Sequence, residues 1–307
     1  MNPRMESLLS WATAQPASET RRNFDPNAVD PKWYEALFGV PQESDADKMN
    51  RWMTALRTRQ SQEGKPVDKS AAQELLRQLH FVCELTENAN DMPKQDEGRA
   101  LATLLDIALT YEDLESRTEA LSVIATCAQN NPEFQQRLVE LEAVPRLVRA
   151  LAENAVSPAV RGKTWTALSA SVRQCVPATR QFVESDGVRQ LAADLNSSNP
   201  SIRRRVVFFL TFLVHHKLVS FERLEDVLPL LQQAIPVATQ SDDIDLLEKL
   251  LACLLECTKV FSQHARALRE RLRTDISALD RVMSRSDDVE RVSEVRRLCK
   301  SLSRASS

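Results

Sequence analysis

The amino-acid sequence predicts an all-α protein built as a solenoid of stacked repeats, and two observations carry that prediction. The first is composition: hydrophobic residues make up 43% of the 307 residues, aromatic residues only 5%, and there are five glycines. Leu and Ala supply most of the apolar surface and favour helix, whereas a sheet needs alternating β-branched and aromatic residues. The second observation is an internal repeat.

The repeat is clearest in a stretch that recurs after 44 residues. The segment "LVELEAVPRLVRAL" (138–151) aligns with "FVESDGVRQLAADL" (182–195), and their Val, Glu and Leu positions coincide. Copies of the preceding helix begin near residues 115, 159, 201 and 243, after a degenerate first copy at 71–85. A period near 42 residues with helix–turn–helix–turn–helix punctuation is typical of armadillo/HEAT arrays. We therefore expect an armadillo/HEAT-like right-handed superhelical solenoid of about five three-helix repeats, whose neighbouring units bury each other's apolar stripes.

Prolines and asparagines mark the turns between the predicted helices. Pro132, Pro158 and Pro200 fall at helix starts, where a missing N–H is harmless, and Asn131 and Asn199 precede two of them as N-caps. The longest helix of each unit should line the concave surface of the solenoid. These helices are expected roughly at 112–130, 158–175, 200–216 and 242–258.

The distribution of Pro, Ser and Asp divides the chain into four parts. Residues 1–44 are rich in these residues and weakly periodic, which predicts a flexible N-terminal arm with short helices. Residues 45–67 are expected to form an N-terminal capping helix and a linker. The repeats should occupy 68–285, and a C-terminal capping helix and tail should occupy 286–307.

Charge and hydropathy exclude several partners. The formal net charge is −3, which provides no general attraction for nucleic acid or an anionic membrane. No run approaches the roughly 18 apolar residues that suggest a transmembrane helix. The N-terminal stretch 1–17 has an apolar run of only about seven residues, interrupted by Glu6 and Ser10, which is short for a signal peptide. We therefore expect a cytoplasmic protein and a monomer, with its six cysteines as reduced thiols of the core.

The sequence contains no recognisable catalytic, cofactor or metal motif. Its four histidines are dispersed, and Cys253 and Cys257, four residues apart on one helix, are too few ligands for a metal site. Five glycines leave neither a phosphate cradle nor a nucleophile elbow. We expect a binding protein, not an enzyme, with neither cofactor nor metal. The aromatic residues of the middle repeats are predicted to pack between units: Trp165, Phe208, Phe209 and Phe212.

Arginines recur at the same early position of successive long helices. Arg117, Arg161 and Arg203 occupy this column and should form a row along the concave surface. The row is either a solvated polar face or a set of cations that binds a partner, since the concave surface of a solenoid is its usual binding surface. Both interpretations remain open for Arg203, which lies in "RRR".

Four short segments resemble the Fes/Hsp-binding-protein family, armadillo-type nucleotide exchange factors of heat-shock protein 70. "MESLLSWATA" (5–14) is similar to its N-terminal opening and "DPKWYEALFGVP" (30–41) to its Leu-Phe-Gly turn. "LTENANDM" (85–92) is similar to its Asn-Ala-Asn segment, and "IATCAQNNPEFQ" (124–135) to its Gln-Asn-Asn run. The chain departs from the pattern at Ala125, where the family often has Gly, and in the longer segment 59–67.

The resemblance implies a cytosolic co-chaperone whose concave face grips lobe II of the chaperone's ATPase domain and promotes ADP release. By residue-wise correspondence, Asn88, Ala89 and Asn90 would lie at the binding face and Arg203 on the concave row. The N-terminal segment resembles the family's flexible arm, which is associated with release of peptide from the chaperone.

The sequence leaves one alternative function open and disfavours another. The chain could be an armadillo scaffold for a different protein partner, because a fold alone does not define function. Karyopherin-α, which binds basic peptides, carries a ladder of concave Asn residues, and the corresponding positions here hold no Asn: Thr126, Ala170, Phe212 and Leu254.

Overall fold

The computed structural model describes residues 43–61, 64–153, 157–284 and 288–303. The chain divides into two units, Met1–Lys48 and Met49–Ser307, and of the first only residues 43–48 are described. The predicted N-terminal arm therefore lies almost wholly outside the described residues. So do two of the segments that carry the family resemblance, 5–14 and 30–41.

The described residues fold into helices joined by short turns, with no β-strand among them. Short 3-10 turns occur at Met92–Lys94 and Ser262–His264. In chain order the α-helices are α1 (Asp45–Thr58), α2 (Lys69–Val82), α3 (Thr86–Asp91), α4 (Ala100–Thr110), α5 (Leu114–Ala128), α6 (Pro132–Glu140), α7 (Ala143–Ala152), α8 (Pro158–Val172), α9 (Val176–Glu184), α10 (Gly187–Leu195), α11 (Pro200–His215), α12 (Phe221–Glu225), α13 (Leu228–Gln240), α14 (Ile244–Val260), α15 (Ala265–Met283) and α16 (Val289–Ser303).

Five repeats begin with the long helices α2, α5, α8, α11 and α14, which have 14 to 17 residues. Each long helix packs against the next in chain order, and α14 packs against α16. The predicted positions of the last four long helices are confirmed. The expectation of three helices in every unit is wrong for the fifth, where the 3-10 turn Ser262–His264 and the 19-residue α15 follow α14.

A polar side chain caps every long helix at its N-terminus. Each one accepts a hydrogen bond from a backbone N–H of the first turn, which satisfies one of the donors that a helix start leaves free. The caps, with their donors, are Asp68 (Ala71), Asp113 (Ser116), Ser157 (Val160), Asn199 (Ser201) and Asp243 (Leu246). The predicted N-cap Asn131 is also confirmed, because its side chain accepts from the N–H of Phe134 at the start of α6.

Aromatic rings join the third and fourth repeats. Trp165 of α8 contacts Phe182 of α9 and Phe209 of α11 edge-on, with ring centroids 6.4 and 6.3 Å apart. These rings are buried, so the predicted packing role of Trp165 and Phe209 is confirmed. Gly187 is required here because a Cβ atom would lie 2.4 Å from the Phe182 ring. The same prediction is wrong for Phe208, whose side chain is 49% exposed.

A buried carboxylate attaches α1 to the array. Asp96 lies in the short helical element Gln95–Gly98, where it and Glu97 have positive φ and thus form a tight turn. Its carboxylate accepts hydrogen bonds from the guanidinium of Arg57, at 2.5 and 3.0 Å, and from the hydroxyl of Thr54 at 3.0 Å. Burial alone would raise the pKa of this carboxyl, but these hydrogen bonds and the nearby arginine charges outweigh burial and lower it.

We expect Asp96→Asn to destabilise the protein, with a magnitude that depends on pH. Asn tolerates positive φ as Asp does, so the substitution removes the charge while retaining the turn. The loss at pH 7 should be about 1–2 kcal/mol, reduced from the buried-ion-pair range because Arg57 is partly solvated. Since the folded pKa is depressed, the carboxylate's contribution is complete above its unfolded pKa of about 4 and disappears as the pH falls through the folded value. Urea unfolding at pH 7 and pH 3 measures this difference, and an equal loss at both pH values would contradict it.

Candidate protein-binding face

The predicted row of arginines does not face an open surface. The Nε atom of Arg117 donates to the carbonyl of Ala108, 3.0 Å away at the end of α4. Arg161 donates through Nε to both carboxylate oxygens of Asp194 in α10, at 2.7 Å. Arg203 is only 7% exposed, and among the described residues its Nε has no hydrogen-bond partner. The expectation that these side chains form an exposed cation row is therefore wrong.

The prediction failed because these arginines lie on a side of the long helices that packs against other helices of the array. Arg117 contacts α4 of the preceding repeat, and Arg161 contacts α10 of its own repeat. Trp165 also donates to Asp194, at 2.5 Å, so this carboxylate serves two buried donors. The spacing of the arginines shows that they share a flank, but it does not show which flank meets solvent.

The five long helices α2, α5, α8, α11 and α14 each have one side exposed to solvent. We call the surface that these exposed sides form together the ladder face. Its polar contacts between neighbouring helices include Arg77–Glu115, His80–Thr126, Arg205–Thr166, Arg204–Asp245 and His215–Glu256. Burial would raise the pKa of Glu256, but hydrogen bonds from His215 and Lys259 outweigh burial and lower it.

A cation and two aromatic rings lie at the centre of the ladder face. The guanidinium carbon of Arg173, at the end of α8, is 5.4 Å from the ring centroid of Phe208 and 5.2 Å from that of Phe212. Arg205 lies beside them and donates to the carbonyl of Gly162 at 3.0 Å. Together with Gln129 and Asn130, Arg173, Arg205 and Phe208 line an open cavity of about 320 Å³.

Gln135 holds the backbone of Arg173 in this position. Its side-chain amide nitrogen lies within hydrogen-bond distance of three carbonyls: Ala128 at 3.1 Å, Ala170 at 2.8 Å and Arg173 at 2.9 Å. The residue is 2% exposed, so these bonds are shielded from water. Gln135 thus ties the ends of α5 and α8 together and positions the cation.

A second cleft brings together two segments that are about 40 residues apart in the sequence. Thr86, Ala89 and Asn90 of the Asn-Ala-Asn segment line one side, and residues 126–127 and 129–133 of the Gln-Asn-Asn segment line the other. The open cleft measures about 800 Å³. Because Gln129 and Asn130 line both this cleft and the cavity beside Arg173, the two form one continuous surface.

The three predicted residues of the Asn-Ala-Asn segment have different roles. Asn88 donates from its amide to the carbonyl of Val82 at 2.8 Å and so fastens α3 to the end of α2. Ala89 lines the cleft but is only 5% exposed and packs in the core, so its side chain has a structural role as well. Of these three residues, only Asn90 is exposed in the cleft. Two exposed apolar side chains lie close to the lining residues Cys83, Glu84 and Thr86 in the sequence, Phe81 at 73% and Leu85 at 61%.

The cleft also contains two cysteine thiols. The thiols of Cys83 and Cys127 line the cleft, and a hydrogen bond between them together with burial raises the pKa of Cys127 well above its usual value. A buried thiol with a raised pKa is unreactive. Within the described ranges, no cluster of three or more His, Cys, Asp or Glu residues could hold a metal ion. No helix of the described part of the chain is long and apolar enough to cross a membrane.

Comparison with protein families finds two matching models. Residues 99–282 match the SIL1/FES1/HPBP1 C-terminal domain, and residues 5–92 match the nucleotide exchange factor Fes1. A protein of Gibberella zeae named Hsp70 nucleotide exchange factor FES1 is 33% identical over 189 residues, which are 60% of this chain and 83% of that protein. The protein of the same name from Saccharomyces cerevisiae is 24% identical over 258 residues, 81% and 85% of the two chains.

Comparison with solved structures identifies the fold. A designed armadillo repeat protein matches with a TM-score of 0.61 at 17% identity, over 83% of this chain and 98% of that one. The armadillo repeats only protein of Plasmodium falciparum matches with a TM-score of 0.53 at 14% identity, over 71% and 100%. The predicted all-α solenoid is confirmed.

We expect Arg161→Ala to lower the stability of the array. The substitution leaves the carboxylate of Asp194, whose side chain is 7% exposed, without its charged partner. Removing one partner of such a pair should reduce the free energy of unfolding by roughly 2–4 kcal/mol. Arg149→Ala is the matched control, since Arg149 is exposed on α7, and it should change stability little. Equal thermal melts for the two variants would contradict the structural role of Arg161.

Proposed function

The chain belongs to the SIL1/FES1/HPBP1 family, as its sequence resemblance predicted, and from this premise we propose that it is a nucleotide exchange factor of heat-shock protein 70. The ladder face would grip lobe II of the chaperone's ATPase domain and promote release of ADP. A cytosolic chaperone is the proposed partner, bound by one copy of this chain. The Fes1 model and the names of the curated relatives support the activity.

One observation carries the assignment of the surface. The Asn-Ala-Asn and Gln-Asn-Asn segments are the described parts of the chain on which the resemblance rests, and both line the same cleft. The cleft continues into the cavity beside Arg173 through Gln129 and Asn130. A surface of this kind, with exposed cations, amides and aromatic rings and no reactive group, suits recognition of a folded protein.

The mechanism requires binding alone. A factor that binds the open, nucleotide-weak form of the ATPase domain better than the closed form shifts the population toward the open form. Acceleration of ADP release by about 1000-fold needs about 4 kcal/mol of differential binding, at about 1.4 kcal/mol per decade. Since no bond is made or broken, the side chains that matter are those that contact the partner.

We expect Asn90→Arg to weaken chaperone binding without unfolding the protein. Asn90 is exposed in the cleft, so a long cation there obstructs docking and must be desolvated, whereas the core is unaffected. The variant should need at least about tenfold more protein for half-maximal ADP release, a difference of about 1.4 kcal/mol. Stopped-flow release of labelled ADP from a cytosolic heat-shock protein 70 measures this effect.

Two further variants serve as controls for that experiment. Asn196→Arg places the same side chain at an exposed asparagine outside the cleft and should behave as wild type. Ala89→Arg should lower the melting temperature, because Ala89 is packed in the core. If Asn90→Arg releases ADP like wild type, the cleft is not part of the interface. If the wild type itself does not accelerate release, the chain serves another partner.

We also propose that the N-terminal arm assists release of peptide substrate and is dispensable for nucleotide exchange. A chain starting at Glu43 retains α1 and all five repeats. It should accelerate ADP release as the full chain does, but displace bound peptide less well. Fluorescence anisotropy of a labelled peptide on the chaperone follows the second step. A truncated chain that cannot accelerate ADP release would refute this division of labour.

A further inference from the structure

We propose that the centre of the ladder face is a carboxylate-binding patch, formed by Lys163, Arg173 and Arg205, that receives an acidic surface of the ATPase domain. The inference rests on the proposed function and adds the chemistry of the partner's surface. An acidic cluster bound here would determine the orientation in which the chaperone docks, because charge complementarity sets the register of an interface.

The proposal is supported by which cations of the ladder face have a carboxylate partner and which do not. Elsewhere on the ladder face, four cations form ion pairs with carboxylates of the protein itself: Arg77 with Glu115, Arg204 with Asp243, Lys249 with Asp245 and Lys259 with Glu256. In contrast, Lys163, Arg173 and Arg205 have no carboxylate partner among the described residues. Arg173 and Arg205 line one cavity, and Lys163 occupies in α8 the position that Arg205 occupies 42 residues later in α11, although the whole chain has a net charge of −3. A local cluster of unneutralised cations on an acidic protein attracts negatively charged groups to that part of its surface.

The arginines of the patch are held in place before any partner arrives. The guanidinium of Arg173 lies over the rings of Phe208 and Phe212, and cation–π attraction holds the guanidinium there. Arg205 is held by the carbonyl of Gly162 and by the hydroxyl of Thr166. A guanidinium has five N–H donors, so both groups keep donors for a bidentate carboxylate. Ordering these side chains in advance reduces the entropy lost on binding.

The neighbouring repeat presents carboxylates on the same face, so the charge of the surface changes along the array. On α5, next to α8, the ladder face carries Glu115, which is paired with Arg77, and Glu119, whose partner His80 lies 3.7 Å away and is charged only when protonated. A partner docked in the reverse direction would place its carboxylates against these acids. The patch therefore favours one direction of docking over the other. A nucleic acid, with phosphate along its whole length, would meet the same repulsion at α5.

The double charge reversal Arg173→Glu with Arg205→Glu tests the patch in the full-length chain. Its control reverses two exposed arginines outside the ladder face, Arg149→Glu with Arg189→Glu, so the net charge of both variants is identical. The patch variant should bind the isolated ATPase domain at least about tenfold more weakly, with the loss mainly in the association rate. Its association rate should also lose most of the salt dependence that wild type shows between about 50 and 300 mM salt. The control should stay within about twofold of wild type.

Lys163 provides a second measurement that does not depend on the folding of that variant. Lys163 is half-buried, and its side chain makes no ion pair or hydrogen bond with the described residues. We therefore expect Lys163→Glu to leave the array folded and also to slow association. A carbodiimide activates a partner carboxylate, and attack by the amine of Lys163 then forms an amide as the urea by-product leaves. Mass spectrometry of the crosslinked complex should therefore find Lys163 joined to an Asp or Glu of the ATPase domain.

The outcomes separate this inference from the proposed function. If wild type accelerates ADP release but the patch variant and Lys163→Glu both associate like the control, the patch is not the contact and the inference is wrong. If wild type does not accelerate ADP release, both the function and the inference fail. Binding of a labelled RNA oligonucleotide by wild type, lost in the patch variant, would assign the patch to phosphates and overturn the proposal.

Discussion

The packing of one long helix against the next is the constraint on which the rest of this molecule depends. A single repeat has no partner for its apolar stripe within its own 40 or so residues, so each unit completes its core with a side chain from a neighbour. Trp165, Phe182 and Phe209 show this directly, because the three rings come from two repeats and form one buried cluster. The buried core consequently extends through all five repeats.

The binding surface is a consequence of that packing. A long helix surrounded by its neighbours has one side left for solvent, and the sides of successive helices adjoin because the helices themselves do. Polar and charged side chains occupy these sides and pair across the helix boundaries, as Arg77 and His215 do. Arg173 and Arg205 have no carboxylate partner among the described residues because their neighbours across the boundary are hydroxyls, carbonyls and rings, as Thr166 is for Arg205 and Phe212 is for Arg173. The composition of the surface thus follows from which residues the repeat aligns.

The errors of sequence-based prediction at the site have one physical origin. The spacing of Arg117, Arg161 and Arg203 correctly places them at equivalent positions of successive helices. Equivalent positions, however, are equally compatible with the solvent-exposed side of each helix and with the side that packs against another helix of the array. Arg205 is two residues from Arg203, about 200° further around the helix, and it is exposed where Arg203 is buried.

The sequence by itself determined the fold class, the positions of the long helices, the caps at Asn131 and Asn199, and the family. These follow from local rules and from periodicity, which are properties of the chain read in one dimension. Only the tertiary structure decided that Ala89 is core while Asn90 is surface, that two segments 40 residues apart share one cleft, and that Arg173 rests on two rings of the next repeat. Each of these depends on the angle at which one repeat meets another, and that angle results from the packing of all the side chains between them.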